Sequence, residues 1–296
     1  MQIVRTPNSA RAIARTLPRP LGLVPTMGAL HAGHLSLVER ARAENVTVAA
    51  SIFVNPLQFG PNEDFERYPR SFEADCRLLE AAGVELLYAP SVEVMYPAGF
   101  ASRIDAGGLV SVFEGAARPG HFAGVCTVVA KLLHALEPTS AYFGQKDAQQ
   151  TAVILRMVRD LDIASRIVVC KTVREPDGLA LSSRNVYLSA EERAAAPTFH
   201  RALEAVSRAI LDGETDPNVA RSIALAMLRA PLELEYLAIV DPASFEEQQQ
   251  LARPALIVGT VRAGSVRLLD NLSVPGEDGR DPMVTPFHRY VRAAAP

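Results

Sequence analysis

Four short segments carry side chains whose types and spacing fit the handling of phosphates and a small substrate bearing a hydroxyl. In Pro25-Thr26-Met27-Gly28-Ala29-Leu30-His31-Ala32-Gly33-His34, two imidazoles stand three residues apart. That spacing turns both toward one side of a first helical turn. A strand, a glycine-containing turn and a helix start in succession make an anion site from unpaired N–H groups and the helix dipole. Gly33 leaves room for a phosphate against the backbone, and the imidazoles can donate hydrogen bonds as phosphate charge builds up. The same pair also reads as ordinary surface or capping histidines, and a metal site would need a third ligand that nothing nearby supplies.

The second segment, Gly144-Gln145-Lys146-Asp147-Ala148-Gln149-Gln150, sets a lysine at a strand-to-helix junction, where it can hold a phosphate as a point charge. Asp147 reads as a helix N-cap, and equally as a group for a ribose hydroxyl or a metal-bound water. Gln150, three residues on, suits a substrate hydroxyl. The third, Pro176-Asp177-Gly178-Leu179-Ala180-Leu181-Ser182-Ser183-Arg184-Asn185, sets two hydroxyls beside an arginine in a loop able to fold over a triphosphate, or in a plain Ser-rich turn. The fourth, Ile52-Phe53-Val54-Asn55-Pro56-Leu57-Gln58-Phe59, offers two amides among large apolar groups. That mixture suits a small substrate bearing a hydroxyl and a branched hydrocarbon, while Asn55-Pro56 is in its own right a turn signal.

These segments follow strands. Apolar runs at 21–25, 46–54, 84–90, 140–144 and 166–173 alternate with helical patterns at 33–43, 71–82, 122–136 and 147–160. Such alternation predicts an α/β fold with a Rossmann-like, doubly wound parallel sheet, whose ligands bind beyond the carboxyl ends of the strands. The character changes after about residue 188. Ser189-x-x-Glu192 opens an Ala-rich helix reaching Gly213, and Asp216-Pro217 starts another. Strands at 232–241 and 255–270, the latter turning at Ala263-Gly264, complete a smaller α+β domain. The expected division is 1–174 for a Rossmann-like ligand-binding domain and 175–296 for a smaller lid domain. The third segment is expected at their junction, and the tail beyond about 272 is expected to be poorly ordered.

Composition limits the function classes. Of 296 residues, 49% are hydrophobic and 21% charged, too apolar for a disordered chain. Thirty Lys and Arg against 33 Asp and Glu argue against nucleic acid as a partner. No apolar run approaches the roughly 20 residues of a membrane span, and the first residues lack a secretory pattern, so a cytoplasmic location is expected. Cys76, Cys126 and Cys170, with no C-x-x-C, read as core residues in a reducing compartment.

Together the segments PTMGALHAGHLSL, SIFVNPLQF, ERYPR (66–70), RPGHFAGVCTVV (118–129), YFGQKDAQQ and DGLALSSRNVYLS occur in an order that resembles the pantoate–β-alanine ligase family of the H-x-G-H nucleotidylyltransferase superfamily. The resemblance extends over about residues 1–271. It implies ATP-driven joining of pantoate to β-alanine through pantoyl-adenylate, with Mg2+, in a homodimer. By resemblance, ATP contacts fall on Pro25, Thr26, Met27, Gly28, His31, Gly33, His34, Gly144, Lys146, Asp147, Val173, Leu181, Ser182, Ser183 and Arg184. His34, with His31, Lys146 and Arg184, matches the catalytic positions. Gln58, Gln150, Asn55 and Met27 match pantoate contacts and Gln58 also β-alanine, with Tyr68 and Arg118 in matching segments. The resemblance does not name the metal ligands. Leu181 and Gln145 stand where methionine and glutamate are common in the family, exchanges that keep apolar volume and hydrogen bonding. A nucleotidylyltransferase acting on a phosphate ester, and a nucleotide sensor without turnover, are the competing readings. The neutral amides of Gln58 and Gln150 argue against a phosphorylated acceptor.

Overall fold

The computed structural model describes residues 1–61, 63 and 65–283. The chain runs β1 (Gln2–Val4), α1 (Pro7–Thr16), β2 (Leu21–Thr26), α2 (Ala32–Glu44), β3 (Thr47–Ile52), α3 (Phe72–Ala81), β4 (Leu86–Tyr88), α4 (Val92–Met95), α5 (Glu114–Ala117), α6 (His121–Leu136), β5 (Ser140–Gly144), α7 (Ala148–Asp160) and β6 (Arg166–Cys170). It continues through α8 (Ala190–Ala195), α9 (Pro197–Leu211), α10 (Pro217–Met227), β7 (Leu232–Val240), β8 (Ala255–Ala263) and β9 (Val266–Val274). Two compact units emerge. The first holds Met1–Gly144 and Gln149–Cys170; the second holds Gln145–Ala148 and the described chain from Lys171 onward.

In the first unit, six parallel strands lie in the order β1-β4-β3-β2-β5-β6, the doubly wound arrangement expected from the sequence. The chain lays down β3 and β4 on one side of β2 and β5 and β6 on the other, so the switch point lies between β2 and β5. Register fixes what meets there. Leu23 pairs with Ala141 and Thr26 with Ile52, so β2, β3 and β5 end nearly in step. The turn after Thr26, the residues after Ile52, and Gly144 therefore share one edge of the sheet.

Each face of the sheet is covered by apolar residues that a parallel sheet must bury. One layer joins Leu21, Leu23, Ala49 and Leu86 to α6; the other joins Val24, Val48, Ala50 and Leu87 to Leu37, Val38 and Ala41 of α2. Helix α6 packs so closely on the 3₁₀ turn Pro56–Gln58 that a Cβ on Gly124 would come 2.3 Å from the Leu57 carbonyl oxygen. Sequence reading missed β1 and α1, although Thr6 before Pro7 is an N-cap and N1 pair and the Thr6 side chain accepts from Ser9 N.

The second unit is a three-stranded antiparallel sheet, β7-β8-β9, packed against α9 and α10. The Ala-rich helix expected to run from the Ser189 box to Gly213 is two helices, α8 and α9. Pro197 lacks an N–H and its ring excludes the preceding turn's carbonyl, which interrupts the ladder. β9 extends through Val274, and Met283 is buried; of the tail expectation, residues 284–296 lie outside the described residues. Cys126 and Cys170 are buried, their thiols pushed up to about 12 and about 11 by burial. Cys76 is only half-buried, a departure from its expected core position. No helix among the described residues is long and apolar enough to cross a membrane.

Candidate active site

The two histidines cap the helix they introduce. His31 is the N-cap of α2 and its Nδ1 accepts from Gly33 N at 3.1 Å; His34 Nδ1 accepts from His31 N at 3.3 Å, closing a reciprocal capping box. The ring centroids are 4.2 Å apart. A nitrogen that accepts from a backbone N–H carries no proton, so each neutral ring holds its hydrogen on Nε2. Capping uses Nδ1 of each ring, so the capping reading of this pair does not conflict with the phosphate-binding one.

The main chain of the turn behaves otherwise than its sequence suggests. Gly28 N donates to Thr26 Oγ1, Ala29 N and Leu30 N to the two carboxylate oxygens of Asp75 at 2.9 Å each, and His31 N and Gly33 N to the imidazoles. Five N–H groups of the turn, those of Gly28, Ala29, Leu30, His31 and Gly33, are therefore already satisfied within the protein. Asp75, buried on α3, occupies the place an anion would take. It also holds an unusual backbone: Gly28 at φ +82° is followed by Ala29 at φ +50°, a left-handed conformation that costs a non-glycine residue about 1 kcal/mol.

Beyond β3, Asn55 is 1% exposed and its amide is fully engaged. Nδ2 donates to Gln58 Oε1 (3.0 Å) and Gly124 O (3.1 Å), while Oδ1 accepts from Leu57 N (3.2 Å) and the Tyr96 hydroxyl (2.8 Å). Burial pushes the Tyr96 phenol well above its usual value, keeping it a neutral donor. Asn55, matched to a pantoate contact by resemblance, here orients Gln58, whose Nε2 meets Met27 Sδ at 3.1 Å. The site thus joins Met27, Asn55 and Gln58. Gln150 is half-buried on the first turn of α7.

Arg118 and His121 brace the same turn. Arg118 Nε donates to Glu63 Oε1 (2.8 Å) and Nη2 to Gln58 O (3.2 Å). His121 Nδ1 lies 2.8 Å from Gln58 O and Nε2 lies 3.1 Å from Arg118 Nη1; a carbonyl only accepts, so His121 carries its proton on Nδ1. Burial would raise the Glu63 carboxyl, but the Arg118 hydrogen bond and charge outweigh it and leave the group below its usual value. Tyr68 is buried with its ring 6.0 Å from that of Phe59.

In the second unit, Lys146 Nζ lies 3.7 Å from the exposed Asp147 carboxylate. Gln145 Nε2 donates to Ser273 Oγ at 2.8 Å, and Asn271 Nδ2 donates to the carbonyls of Gln145 (2.8 Å) and Lys146 (2.9 Å). Val173 and Leu181 face each other across a tight hairpin, Leu181 N donating to Val173 O at 3.0 Å. Ser182 then caps a 3₁₀ turn, Ser183–Tyr187, accepting from Arg184 N at 3.2 Å. Asp75, Tyr96, His121 and Asn271 were not singled out from the sequence: each acts on a segment distant in the chain, and no local spacing announces it. Among the described residues, no group of three or more His, Cys, Asp or Glu side chains is arranged to hold a metal ion.

Residues 2–273 match the family model described as pantoate-β-alanine ligase. The chain belongs to the pantoate–β-alanine ligase family. A pantothenate synthetase of Herpetosiphon aurantiacus is 53% identical across 92% of this chain and 99% of the relative, and one of Chloroflexus aggregans is 55% identical across 92% and 99%. The crystal structure of pantothenate synthetase from Thermus thermophilus superposes with a TM-score of 0.88 at 51% identity, covering 93% of this chain and all of that one. A pantoate-β-alanine ligase from Francisella tularensis, complexed with β-γ ATP and β-alanine, gives 0.76 at 35% identity over 92% and 97%. The match to the family extends through most of β9 and so includes Asn271 as well as the H-x-G-H turn.

Proposed function

We propose that this ligase condenses pantoate with β-alanine through pantoyl-adenylate, consuming ATP and releasing pyrophosphate and AMP. The observation carrying the proposal is the collinear match of the chain to the family over residues 2–273, spanning every candidate site segment. The Francisella tularensis relative, complexed with β-γ ATP and β-alanine, supports ATP and β-alanine as ligands.

The residues supply suitable chemistry. A pantoate carboxylate is already ionised at neutral pH, so its oxygen attacks the α-phosphorus without a protein base. The bond to the β-phosphate oxygen breaks and pyrophosphate leaves. The neutral amine of β-alanine then attacks the acyl carbon, the acyl–phosphate bond breaks, AMP leaves and the proton lost from the amine passes to solvent. The protein's task is to place two anions together and stabilise charge on the phosphates. Nε2–H of His34 and His31, the Lys146 ammonium and the Arg184 guanidinium are assigned to that task, with His34 Nε2–H giving a hydrogen bond to the leaving phosphate. Pro25, Thr26, Met27, Gly28, Gly33, Gly144, Asp147, Val173 and Leu181 to Ser183 are assigned the remaining ATP contacts. Gln58 and Gln150 hold pantoate, and Gln58 also β-alanine. A thioether is a weak acceptor, so a substrate oxygen can take Gln58 Nε2–H from Met27. Asn55 acts through Gln58.

Mg2+, when bound, would neutralise phosphate charge, and the exposed Asp147 carboxylate beside Lys146 would hold one of its waters. The same reading makes the protein a cytoplasmic homodimer, a state that light scattering measures directly. The deciding experiment is exchange of labelled pyrophosphate into ATP without β-alanine. Exchange should require pantoate, and pantothenate should form only when β-alanine is added. Exchange that runs equally well without pantoate, or a stable dinucleotide product, overturns the proposal.

A further inference from the structure

Lys146 stands on a loop that is held through its main chain from β9. Asn271 is 2% exposed, and its amide hydrogens go to two successive carbonyl oxygens, Gln145 O and Lys146 O, at 2.8 and 2.9 Å. Only the NH2 end of the amide can face two carbonyls, so its orientation is fixed although its own Oδ1 accepts no hydrogen bond. Those carbonyls belong to the two peptide planes flanking the Lys146 Cα. Because each peptide unit is planar, fixing both planes fixes φ and ψ of Lys146, and with them the direction in which its side chain leaves the backbone. Ser273, two residues further along β9, faces the same side and adds a third anchor through Gln145 Nε2.

The neighbouring residue holds the other segment. Asp270 is buried and takes both arms of the Arg174 guanidinium, at 2.6 and 2.9 Å. Arg174 also donates to Gly178 O and Asn271 O, and it pairs with Ala180 across the hairpin that leads into Ser182–Arg184. Successive strand residues point to opposite faces, so one Asp-Asn dipeptide reaches both the Lys146 loop and the Ser182–Arg184 hairpin.

We infer that Asn271 is a positioning residue for the adenylation step, setting the direction of Lys146 through its flanking peptide planes. This rests on the assignment of Lys146 to the ATP phosphates. Asn271→Ala should raise KM for ATP about tenfold in pantoate-dependent pyrophosphate exchange, since small displacements of a placed group cost rate steeply, and leave KM for pantoate within about twofold. The decisive readout is coupling. In a Lys146→Ala background, adding Asn271→Ala should change exchange by less than about twofold, because the group it directs is gone. A role in stability alone would give the same fold-loss in both backgrounds and overturns the inference, as does unchanged ATP dependence. Should Asn271→Ala not fold, Ser273→Ala carries the same cycle, with a smaller expected rise of about threefold; no coupling to Lys146 there also overturns it. Absence of pantoate-dependent exchange in the unmodified protein overturns the reaction assignment instead. ATP affinity measured by calorimetry on the same variants then judges the positioning role separately.

Discussion

The H-x-G-H turn and the Lys146 loop both present polar side chains from a backbone held by one buried residue, yet the two holders are chemically opposite. Asp75 is a carboxylate that accepts from the N–H groups of Ala29 and Leu30; Asn271 is an amide that donates to the carbonyls of Gln145 and Lys146. At the turn, a protein carboxylate fills the place where main-chain N–H groups would meet a phosphate. The fixed backbone thus carries a negative charge beside Ala29 and Leu30. At the loop, a neutral amide holds the chain and adds no charge beside the lysine. Each anchor therefore both fixes geometry and sets the local electrostatics.

The largest expected effect tests the charged half of the second-unit anchor. Arg174→Ala would leave Asp270 buried without its bidentate partner, a loss of about 3–5 kcal/mol measurable by urea unfolding. A loss below about 1 kcal/mol would show that the Asp-Asn dipeptide does not depend on this pair. The pair also sets an acid limit. Burial would raise the Asp270 carboxyl, but the His200 ring 3.5 Å away and the hydrogen bonds and charge of Arg174 outweigh it and hold the group below its usual value. A lowered folded-state pKa stabilises fully above the unfolded value and is lost as pH falls through the folded one. The acid unfolding midpoint should therefore rise in Arg174→Ala.

Next in size is the chemistry carried by the two segments. His34→Ala and Lys146→Ala should each slow pantoate-dependent exchange about a hundredfold, the loss from deleting one preorganised donor. His34→Gln separates the two uses of the ring: glutamine at the third helical position can still close a capping box. Its stability should stay near that of the unmodified protein while exchange falls; exchange at the original rate would remove His34 Nε2 from the mechanism. The smallest effect is expected at Asp75→Asn, which sets an amide NH2 against a backbone N–H and costs about 1–3 kcal/mol. Thermal unfolding and exchange would both decline. Unchanged values would mean that the left-handed Ala29 is held by the chain itself.

Much of the fold was legible because it is written in local periodicity. The strand and helix alternation from 21 to 170 predicted the parallel sheet, with boundaries shifted by a few residues where strand ends run into loops. Ser189 with Glu192 and Asp216 with Pro217 were readable as caps for the same reason. The break at Pro197 was also present in the sequence and is explained by proline chemistry. β1 was not legible: Gln2–Val4 is three residues long and becomes a strand only because β4 supplies its partner.

The sequence by itself determined which groups are available for chemistry. His31 and His34 lie three apart, so their mutual capping follows from helix geometry alone. Gln58 follows Asn55 by three residues, and a 3₁₀ turn suffices to join their amides. Tertiary structure decided which of these groups remain available to a ligand. Asp75 lies 46 residues from Ala29, Tyr96 lies 41 from Asn55, and Asn271 lies 125 from Lys146. A hydrogen bond between distant residues depends on how sheets and helices bring them within about 3 Å of each other, and no spacing pattern along the chain encodes that meeting. The sequence named the donors; packing determined that the turn's N–H groups face a carboxylate and that Lys146 is held by its backbone.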